Sequence, residues 1–199
     1  TGLPEWQTRA ALLTPIAKAF GTETGIRVAD MGIQVHGGMG YVEESGVSQY
    51  LRDVRVTSIF EGTNGIQAMD LVGRKMLDNG DEMHRLCEEV HAHACDAKAG
   101  FPNLATAVWE ASEALCDATE ALVAKPPAER FAGAVPYLMG AARVLGAHAH
   151  LKAAMADPAR VPLARFYIRR LLPDHAAQFA HASEGFDDLM SVTTDHLVA

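Results

Sequence analysis

Residues 30–74 read DMGIQVHGGMGYVEESGVSQYLRDVRVTSIFEGTNGIQAMDLVGR, and two short turns interrupt this segment. The first has three glycines within residues 37–40, which neither a stable helix nor a regular strand tolerates, so we predict a tight loop there. Backbone N–H groups exposed in such a loop suit a phosphate or pyrophosphate, and a structural turn between two helices explains the glycines equally well. The second turn, IFEGTN at 59–64, contains a carboxylate suited to acid–base chemistry.

Glu61 stands between the apolar pair at 59–60 and a turn that begins a helix. Apolar surroundings disfavour the charged form of a carboxylate and so suit it to accept a proton as a general base. The Gly62 N–H and the start of the following helix offer hydrogen-bond donors to a developing oxyanion. Thr63 is predicted to cap that helix, which we expect at residues 64 to about 77. The alternative is that Glu61 is a first-turn glutamate that interacts with the helix dipole.

The segments around these turns have the apolar spacing of helices. Between residues 5 and 31 the spacing is that of one helical face. Pro15 is expected either to follow the start of this helix, with Thr14 as the cap, or to kink it, and Gly32 is expected to end it. A short helix is predicted at 47–56. The helix after the second turn is expected to direct five residues towards the core: Ile66, Met69, Val72, Gly73 and Met76.

After Asn79 the glycine-rich motifs end and long alanine-rich stretches follow. These stretches contain three apolar stripes at helical spacing. The stripes are Met83, Leu86, Cys87, Val90 and Ala94; Leu104, Val108, Ala111, Leu115, Ala118 and Leu122; and Phe131, Val135, Leu138, Ala142, Leu145 and Ala149. Breaks at 100–102 and 125–127 indicate antiparallel neighbours in a bundle, and Pro173 breaks or kinks a last helical stretch.

The composition fits this pattern. The 199 residues are 49% hydrophobic and 21% charged, as in an ordinary globular protein. We therefore predict an all-α protein, with an antiparallel helical bundle at 1–79 and a second helical bundle as an extension at 80–199. A formal net charge of −8 argues against binding to nucleic acid or to a membrane surface. No apolar run approaches the roughly 20 residues of a membrane span.

The cysteines and histidines point to no special site. The three cysteines show no C-x-x-C spacing, which fits reduced thiols and leads us to expect a cytoplasmic location. His91 and His93 are two residues apart, as are His148 and His150, so each pair points to different helix faces. Metal-binding histidine pairs on a helix are commonly four apart, and we expect no metal site.

Taken together, the segment 30–74 resembles the acyl-CoA dehydrogenase family. In that family a Q-x-x-G-G loop, an Arg-Asp pair on the next helix and an E-G-T turn occur in this order and spacing. Here they are QVHGG at 34–38, RD at 52–53 and EGT at 61–63. The resemblance covers residues from about 12 to 77. The part from about 80 onwards resembles an extra helical domain found in a long bacterial subgroup of the family.

The resemblance implies a flavin enzyme that uses FAD to convert an acyl-CoA thioester into a trans-2-enoyl-CoA. Glu61 would be the catalytic base that removes the α-proton, while a hydride passes from the β-carbon to flavin N5. Gly62 would lie against the substrate thioester. Thr63 and Asn64 would contact the flavin, and an electron-transferring flavoprotein would accept the electrons.

The glycine loop has its own implied role. Gln34, Gly37 and Gly38 match a loop that reaches the adenosine-diphosphate part of the neighbouring subunit's FAD, which implies a homodimer or homotetramer. The pair at 52–53 matches residues whose role is more structural than catalytic. For His36, packing or hydrogen bonding is favoured over acid–base work.

The sequence also departs from the family pattern. Phe60 and Gly65 stand where many relatives have Tyr and Glu. The family binds most of its FAD and CoA through an amino-terminal and a middle domain, so we expect this chain to be a piece of a longer protein that is inactive alone. The acyl group stays open between a medium or long fatty acyl chain and a sulfur-containing one such as methylthiopropionyl.

Two other functions are compatible with the resemblance. An acyl-CoA oxidase has a related core and a similarly placed glutamate. A non-catalytic relative that protects DNA would need a basic surface near the carboxy terminus, but residues 80–199 contain no dense Lys/Arg run. Their basic cluster is limited to Arg165, Arg169 and Arg170. We therefore favour the dehydrogenase.

Overall fold

The computed structural model describes residues 3–197, and the regular structure in this range is helical. Twelve α-helices follow one another in these residues: α1 (Leu3–His36), α2 (Gly38–Tyr41), α3 (Val47–Arg55), α4 (Asn64–Asp70), α5 (Asp81–Ala97), α6 (Pro102–Val123), α7 (Pro127–Ala132), α8 (Ala134–Ala156), α9 (Val161–Arg170), α10 (Asp174–Ser183), α11 (Asp187–Ser191) and α12 (Thr194–Leu197). The predicted all-α class is confirmed.

Helix α1 is longer and less interrupted than its sequence indicated. Pro15 lies inside the helix and is buried, and Thr14 does not cap a start there. Instead, the Thr14 hydroxyl donates to the carbonyl of Ala10 at 2.6 Å, a bond from residue i back to i−4 along the helix. Gly32 does not end the helix either, because a glycine costs only about 1 kcal/mol within a helix. The helix ends at His36, before Gly37 adopts a φ of +58°.

The glycine segment at 37–40 was predicted to be a loop throughout, and that prediction is wrong for most of it. Gly37 forms the turn, whereas Gly38–Tyr41 form one turn of α-helix. Gly40 is buried against α1, where a Cβ atom would lie 2.9 Å from Ile33 Cα. The glycine at position 40 therefore allows α2 to approach the end of α1 closely.

Helix α4 begins where it was predicted, but its buried face differs. The helix continues from Leu71 to Lys75 with π-helical hydrogen bonding, and this wider turn changes which residues point inwards. Val72 and Met76 are buried as expected, whereas Ile66 and Met69 are exposed. The buried face of this helix consists of Ala68, Leu71, Val72 and Met76.

Two of the three stripes in the second part are buried as predicted. All five stripe residues of α5 are buried, as are five of the six in α6, and Ala118 is half-buried. The third stripe is wrong at Phe131, Val135 and Ala149, which are exposed, and Phe131 lies in α7, a helix separate from the rest of the stripe. Helix α8 packs against α1, α4, α5, α6, α9 and α10, so it is buried on several faces and no single stripe describes it.

The two sequence segments contribute to one hydrophobic core. Leu12 and Ile16 of α1 belong to the same buried cluster as Val90 of α5 and Leu151 of α8. The division of the chain into two domains at residue 79 therefore stays a prediction. No helix within residues 3–197 combines the length and apolar character needed to cross a membrane.

Candidate functional site

The turn that carries Glu61 lies between a short 3₁₀ helix, Val56–Ser58, and α4. Glu61 and Gly62 both have left-handed backbone conformations, with φ of +52° and +88°. This conformation is uncommon for a residue with a side chain and costs about 1 kcal/mol or more. Gln67 supports the turn, because its Nε2 donates to the Glu61 carbonyl at 3.2 Å. At Gly62 the φ of +88° favours glycine, and a Cβ atom there would lie 2.8 Å from that same Nε2, so a larger residue would displace the Gln67 amide.

Thr63 caps α4, as the sequence predicted. Its Oγ1 accepts a hydrogen bond from the Ile66 N–H at 3.3 Å. Asn64 is the first helical residue and faces α1. The start of α4 is therefore fixed both by its own cap and by a neighbouring helix.

Helix α1 holds the turn through three side chains. Lys18 Nζ donates to the Gly62 carbonyl at 2.6 Å and to Asn64 Oδ1 at 3.3 Å. Thr22 Oγ1 donates to the same Oδ1 at 3.0 Å. Asn64 Nδ2 in turn donates to Glu23 Oε2 at 3.2 Å. The hydrogen-bonding capacity of the Asn64 amide is thus used to join the turn to α1.

Sequence reasoning did not identify Lys18, Thr22 and Glu23. The available signal was weak: residues 18 and 22 are four apart and therefore lie on one face of a helix. The spacing does not show which segment this face contacts, because the contacts join residues more than 40 positions apart in the sequence.

The Glu61 side chain is exposed in this structure. Its apolar neighbours Ile59 and Phe60 are 53% and 48% exposed, and Ile66, which lies beside Gly62, is exposed as well. The described part of the chain thus places the carboxylate at an open, partly apolar surface. The dry surroundings expected from the sequence are not formed by residues 3–197.

The glycine loop lies at the far end of α1 from this turn. About 14 residues of helix separate Thr22 from His36, which corresponds to roughly 20 Å. The Gly37 N–H donates to the Gln34 carbonyl at 3.1 Å, and the Gln34 side chain is exposed. The structure therefore does not bring Gln34, Gly37 and Gly38 together with Glu61 within one chain.

The remaining candidates form local contacts. His36 Nδ1 lies 2.9 Å from the Gly32 carbonyl, a hydrogen bond within α1. Arg52 donates to Glu43 at 2.8 Å, and Asp53 accepts from Gln49 Nε2 at 2.5 Å. These bonds join residues on and beside α3, and the structural role of the pair at 52–53 stays a prediction.

Comparison with known proteins gives the family. The family described as "Acyl-CoA dehydrogenase, C-terminal domain" matches residues 5–77. A second one, described as "Acetyl-CoA dehydrogenase C-terminal like", matches residues 81–193, more than half of the chain. The chain belongs to the acyl-CoA dehydrogenase family, as the three linked motifs indicated.

Individual relatives match over part of their length. The chain is 41% identical over 142 residues to 3-methylmercaptopropionyl-CoA dehydrogenase of Ruegeria pomeroyi, which covers 68% of this chain and 24% of that protein. It is 41% identical over 85 residues to human mitochondrial very long-chain specific acyl-CoA dehydrogenase, covering 43% of this chain and 12% of the relative. For bovine mitochondrial isobutyryl-CoA dehydrogenase the identity is 39% over 77 residues, with 39% and 18% covered. The chain thus spans a quarter or less of these relatives.

Proposed function

We propose that this chain is the carboxy-terminal helical part of an FAD-dependent acyl-CoA dehydrogenase in which Glu61 is the catalytic base. The observation that carries the proposal is the position of Glu61 on a turn whose backbone is fixed from both sides. Gln67 bonds the carbonyl of Glu61, and Lys18 bonds the carbonyl of Gly62. A general base is effective when the turn that carries it is preorganised.

The reaction requires that a weakly acidic α-proton leave an acyl-CoA thioester. In our proposal the Glu61 carboxylate accepts this proton, and the backbone N–H of Glu61 donates to the thioester oxygen as negative charge develops there. Gly62 lies against the thioester, where the absence of a side chain gives room. Thr63 and Asn64, at the start of α4, contact the cofactor in this proposal, and the Asn64 amide, which is hydrogen-bonded to α1, holds the helix start in place.

The residues of the glycine loop fit a dinucleotide cofactor. Around Gly37 and Gly38 no atom lies within 4 Å of the place that a side chain would occupy, so a ligand can approach the backbone. The exposed Gln34 side chain would bind the pyrophosphate region, next to the open backbone at Gly37 and Gly38. FAD, when bound, supplies the acceptor for the hydride that leaves the β-carbon. Because this loop lies roughly 20 Å along α1 from the Glu61 turn, we propose that it serves the FAD of a second subunit, which makes the protein a homodimer or homotetramer.

The exposed apolar residues around Glu61 fit a surface that is covered in the complete protein. Ile59, Phe60 and Ile66 are each about half exposed. The relatives are about four or more times longer than the segments that match this chain. We propose that the remainder of the protein covers this surface and so excludes water from Glu61, which a base of this kind needs.

The test is the Glu61→Gln variant of the complete, FAD-loaded protein. We expect it to retain FAD and to bind acyl-CoA, but not to bleach the flavin absorbance when substrate is added. Glu44→Gln is the matched control, because Glu44 is an exposed glutamate away from the turn, and we expect it to bleach like the unmodified protein. Rapid bleaching by Glu61→Gln would assign the base to another residue.

The same preparation identifies the substrate and the electron acceptor. Flavin bleaching with 3-methylmercaptopropionyl-CoA, a medium-chain and a long-chain acyl-CoA would rank the acyl groups. Reoxidation by an electron-transferring flavoprotein rather than by oxygen would support a dehydrogenase, and fast reoxidation by oxygen would indicate an oxidase instead. We further propose a cytoplasmic location, which fits three cysteines that are all unpaired.

A further inference from the structure

A cluster of two histidines and a glutamate lies between α5 and α8, away from the Glu61 turn. Glu89, His93 and His148 each place one ligand atom within 4.8 Å of the others. His93 Nδ1 lies 2.9 Å from His148 Nε2, and the two rings are stacked with their centres 5.0 Å apart. His148 is 7% exposed, whereas the other two side chains are half-buried.

We propose that Glu89, His93 and His148 form a binding site for a divalent metal ion, with Zn²⁺ as the ion that fits best. Two imidazole nitrogens and one carboxylate oxygen are a ligand set that Zn²⁺ prefers, and a water molecule would complete a tetrahedral shell. Glu89 and His93 are four residues apart on α5, so they lie on one face. His148 reaches them from α8.

The distances allow coordination with a small adjustment. At Zn–N distances of about 2.0–2.1 Å, two nitrogens in a tetrahedral shell lie roughly 3.4 Å apart. The two histidine nitrogens, now 2.9 Å apart, would therefore separate by roughly half an ångström. One of them donates a proton to the other in the present hydrogen bond, and this proton must leave the shared position when the ion binds. It moves to the other ring nitrogen or to solvent, so that both nitrogens present lone pairs.

Access to the site comes from a groove between α1, α5 and α8. The groove has a volume of about 400 Å³, and its lining includes Arg9, Glu89, His148 and Lys152. A hydrated ion is small compared with this volume. The cluster therefore has a route to solvent although His148 itself is buried.

Two cations compete with the metal for Glu89. Arg9 Nη1 donates to Glu89 Oε2 at 2.9 Å, and Lys152 Nζ lies 3.9 Å from Oε1. Because Arg9 bonds Oε2, the other oxygen, Oε1, can bind the metal ion. The Lys152 side chain near Oε1 is 48% exposed and can turn into solvent. The positive charge of Lys152 should weaken metal binding, so its removal gives a prediction with a definite sign.

The sequence argument against a metal site considered pairs within one helix. The cluster instead joins two helices, with its histidines 55 residues apart in the sequence. A histidine pair that only packs α5 against α8 would have this same geometry without an ion. A metal site and a packing contact are therefore distinguished by adding the ion.

The test uses the 199-residue chain, without a histidine tag, after treatment with a chelator. We expect it to bind one equivalent of Zn²⁺ by calorimetry, and to bind Co²⁺ with the strong visible absorption of a tetrahedral ion. His93→Gln should weaken binding at least tenfold and abolish that absorption. His181→Gln is the matched control, because His181 is exposed on α10, and it should bind like the unmodified chain. Circular dichroism establishes that each variant is folded.

Two further variants make the result decisive. Glu89→Gln should weaken Zn²⁺ binding, whereas Lys152→Met should tighten it several-fold. The proposal is overturned if the unmodified chain binds no stoichiometric ion, if His93→Gln binds as tightly as the unmodified chain, or if Lys152→Met binds more weakly. In that event the histidine pair is a packing contact between α5 and α8.

Discussion

Lys18 Nζ lies 2.6 Å from the carbonyl oxygen of Gly62, so the middle of α1 is hydrogen-bonded to the turn that carries Glu61. The bond is charge-assisted, and a second one joins the same ammonium to Asn64 Oδ1 at 3.3 Å. The position of the candidate base thus depends on a helix that begins more than 50 residues earlier in the chain.

Lys18→Met tests this relationship. The variant keeps most of the side-chain length but leaves the half-buried Gly62 carbonyl without its donor, which should lower the free energy of unfolding by about 1–2 kcal/mol. Amide hydrogen exchange at residues 61–64 should become faster. Lys98→Met, at an exposed lysine, should leave exchange in the turn unchanged. Equal exchange rates in the two variants would show that Lys18 does not hold the turn.

Arg9 joins α1 to α5 through a nearly buried carboxylate. Its Nε lies 2.5 Å from Glu82 Oε1, and the Glu82 side chain is 4% exposed. Arg9→Met should destabilise the protein by about 3 kcal/mol, since it removes one of the two cations that neutralise this carboxylate. The melting temperature should fall by roughly 6–12 °C.

Arg85 provides the matched control, because it contacts the same carboxylate at 2.6 Å but is 58% exposed. Arg85→Met should lower the melting temperature much less than Arg9→Met does, because the Arg85 guanidinium is largely in solvent. If both substitutions lowered the melting temperature equally, burial would not be what makes the Arg9 bond important.

Tyr137 makes a hydrogen bond in the centre of the core. Its hydroxyl lies 2.7 Å from Thr119 Oγ1, and Thr119 donates its own proton to the Leu115 carbonyl, so Tyr137 is the donor. Tyr137→Phe should lower the free energy of unfolding by about 1 kcal/mol. Tyr50→Phe should have no effect, since Tyr50 is 71% exposed. Urea unfolding at neutral pH measures the free energy of unfolding of both variants.

The effect of Tyr137→Phe should also depend on pH. Burial raises the pKa of Tyr137 above its ordinary value, so the folded protein keeps the proton at a pH where the unfolded chain loses it. The contribution of this tyrosine is therefore complete below a pH of about 10 and is lost as the pH rises beyond it. The stability difference between the unmodified protein and Tyr137→Phe should shrink above that pH. A difference that grew with pH would contradict this assignment.

Gly140 allows α8 and α10 to pack closely. A Cβ atom at this position would lie 2.7 Å from Phe179 Cδ1, and Phe179 is buried. Gly140→Ala should therefore destabilise the protein by about 1–3 kcal/mol through overpacking. Gly21→Ala, in α1 with open space around it, should stabilise the protein by about 0.5–1 kcal/mol. Thermal unfolding of both variants measures the contrast, and a stabilising Gly140→Ala would refute the close contact.

The helical class and much of the local structure could be predicted from the order of the residues. The stripes of α5 and α6 repeat at the period of a helix and are buried on one side, so their buried faces could be predicted. The cap at Thr63 and the turn at Gly37 depend on residue types at fixed positions, and both were found. Three motifs at the family's spacing were enough to indicate the acyl-CoA dehydrogenase family.

Which of these helices and turns contact one another depends on how the chain packs in three dimensions. Helix α8 is packed on several sides, so its apolar residues follow no single stripe, and the third predicted stripe failed for that reason. The bond from Lys18 to Gly62 and the contact between His93 and His148 join residues 44 and 55 positions apart. Periodicity and motif spacing record the geometry of one helix or one turn, whereas such contacts arise when separate helices bury their apolar faces against each other.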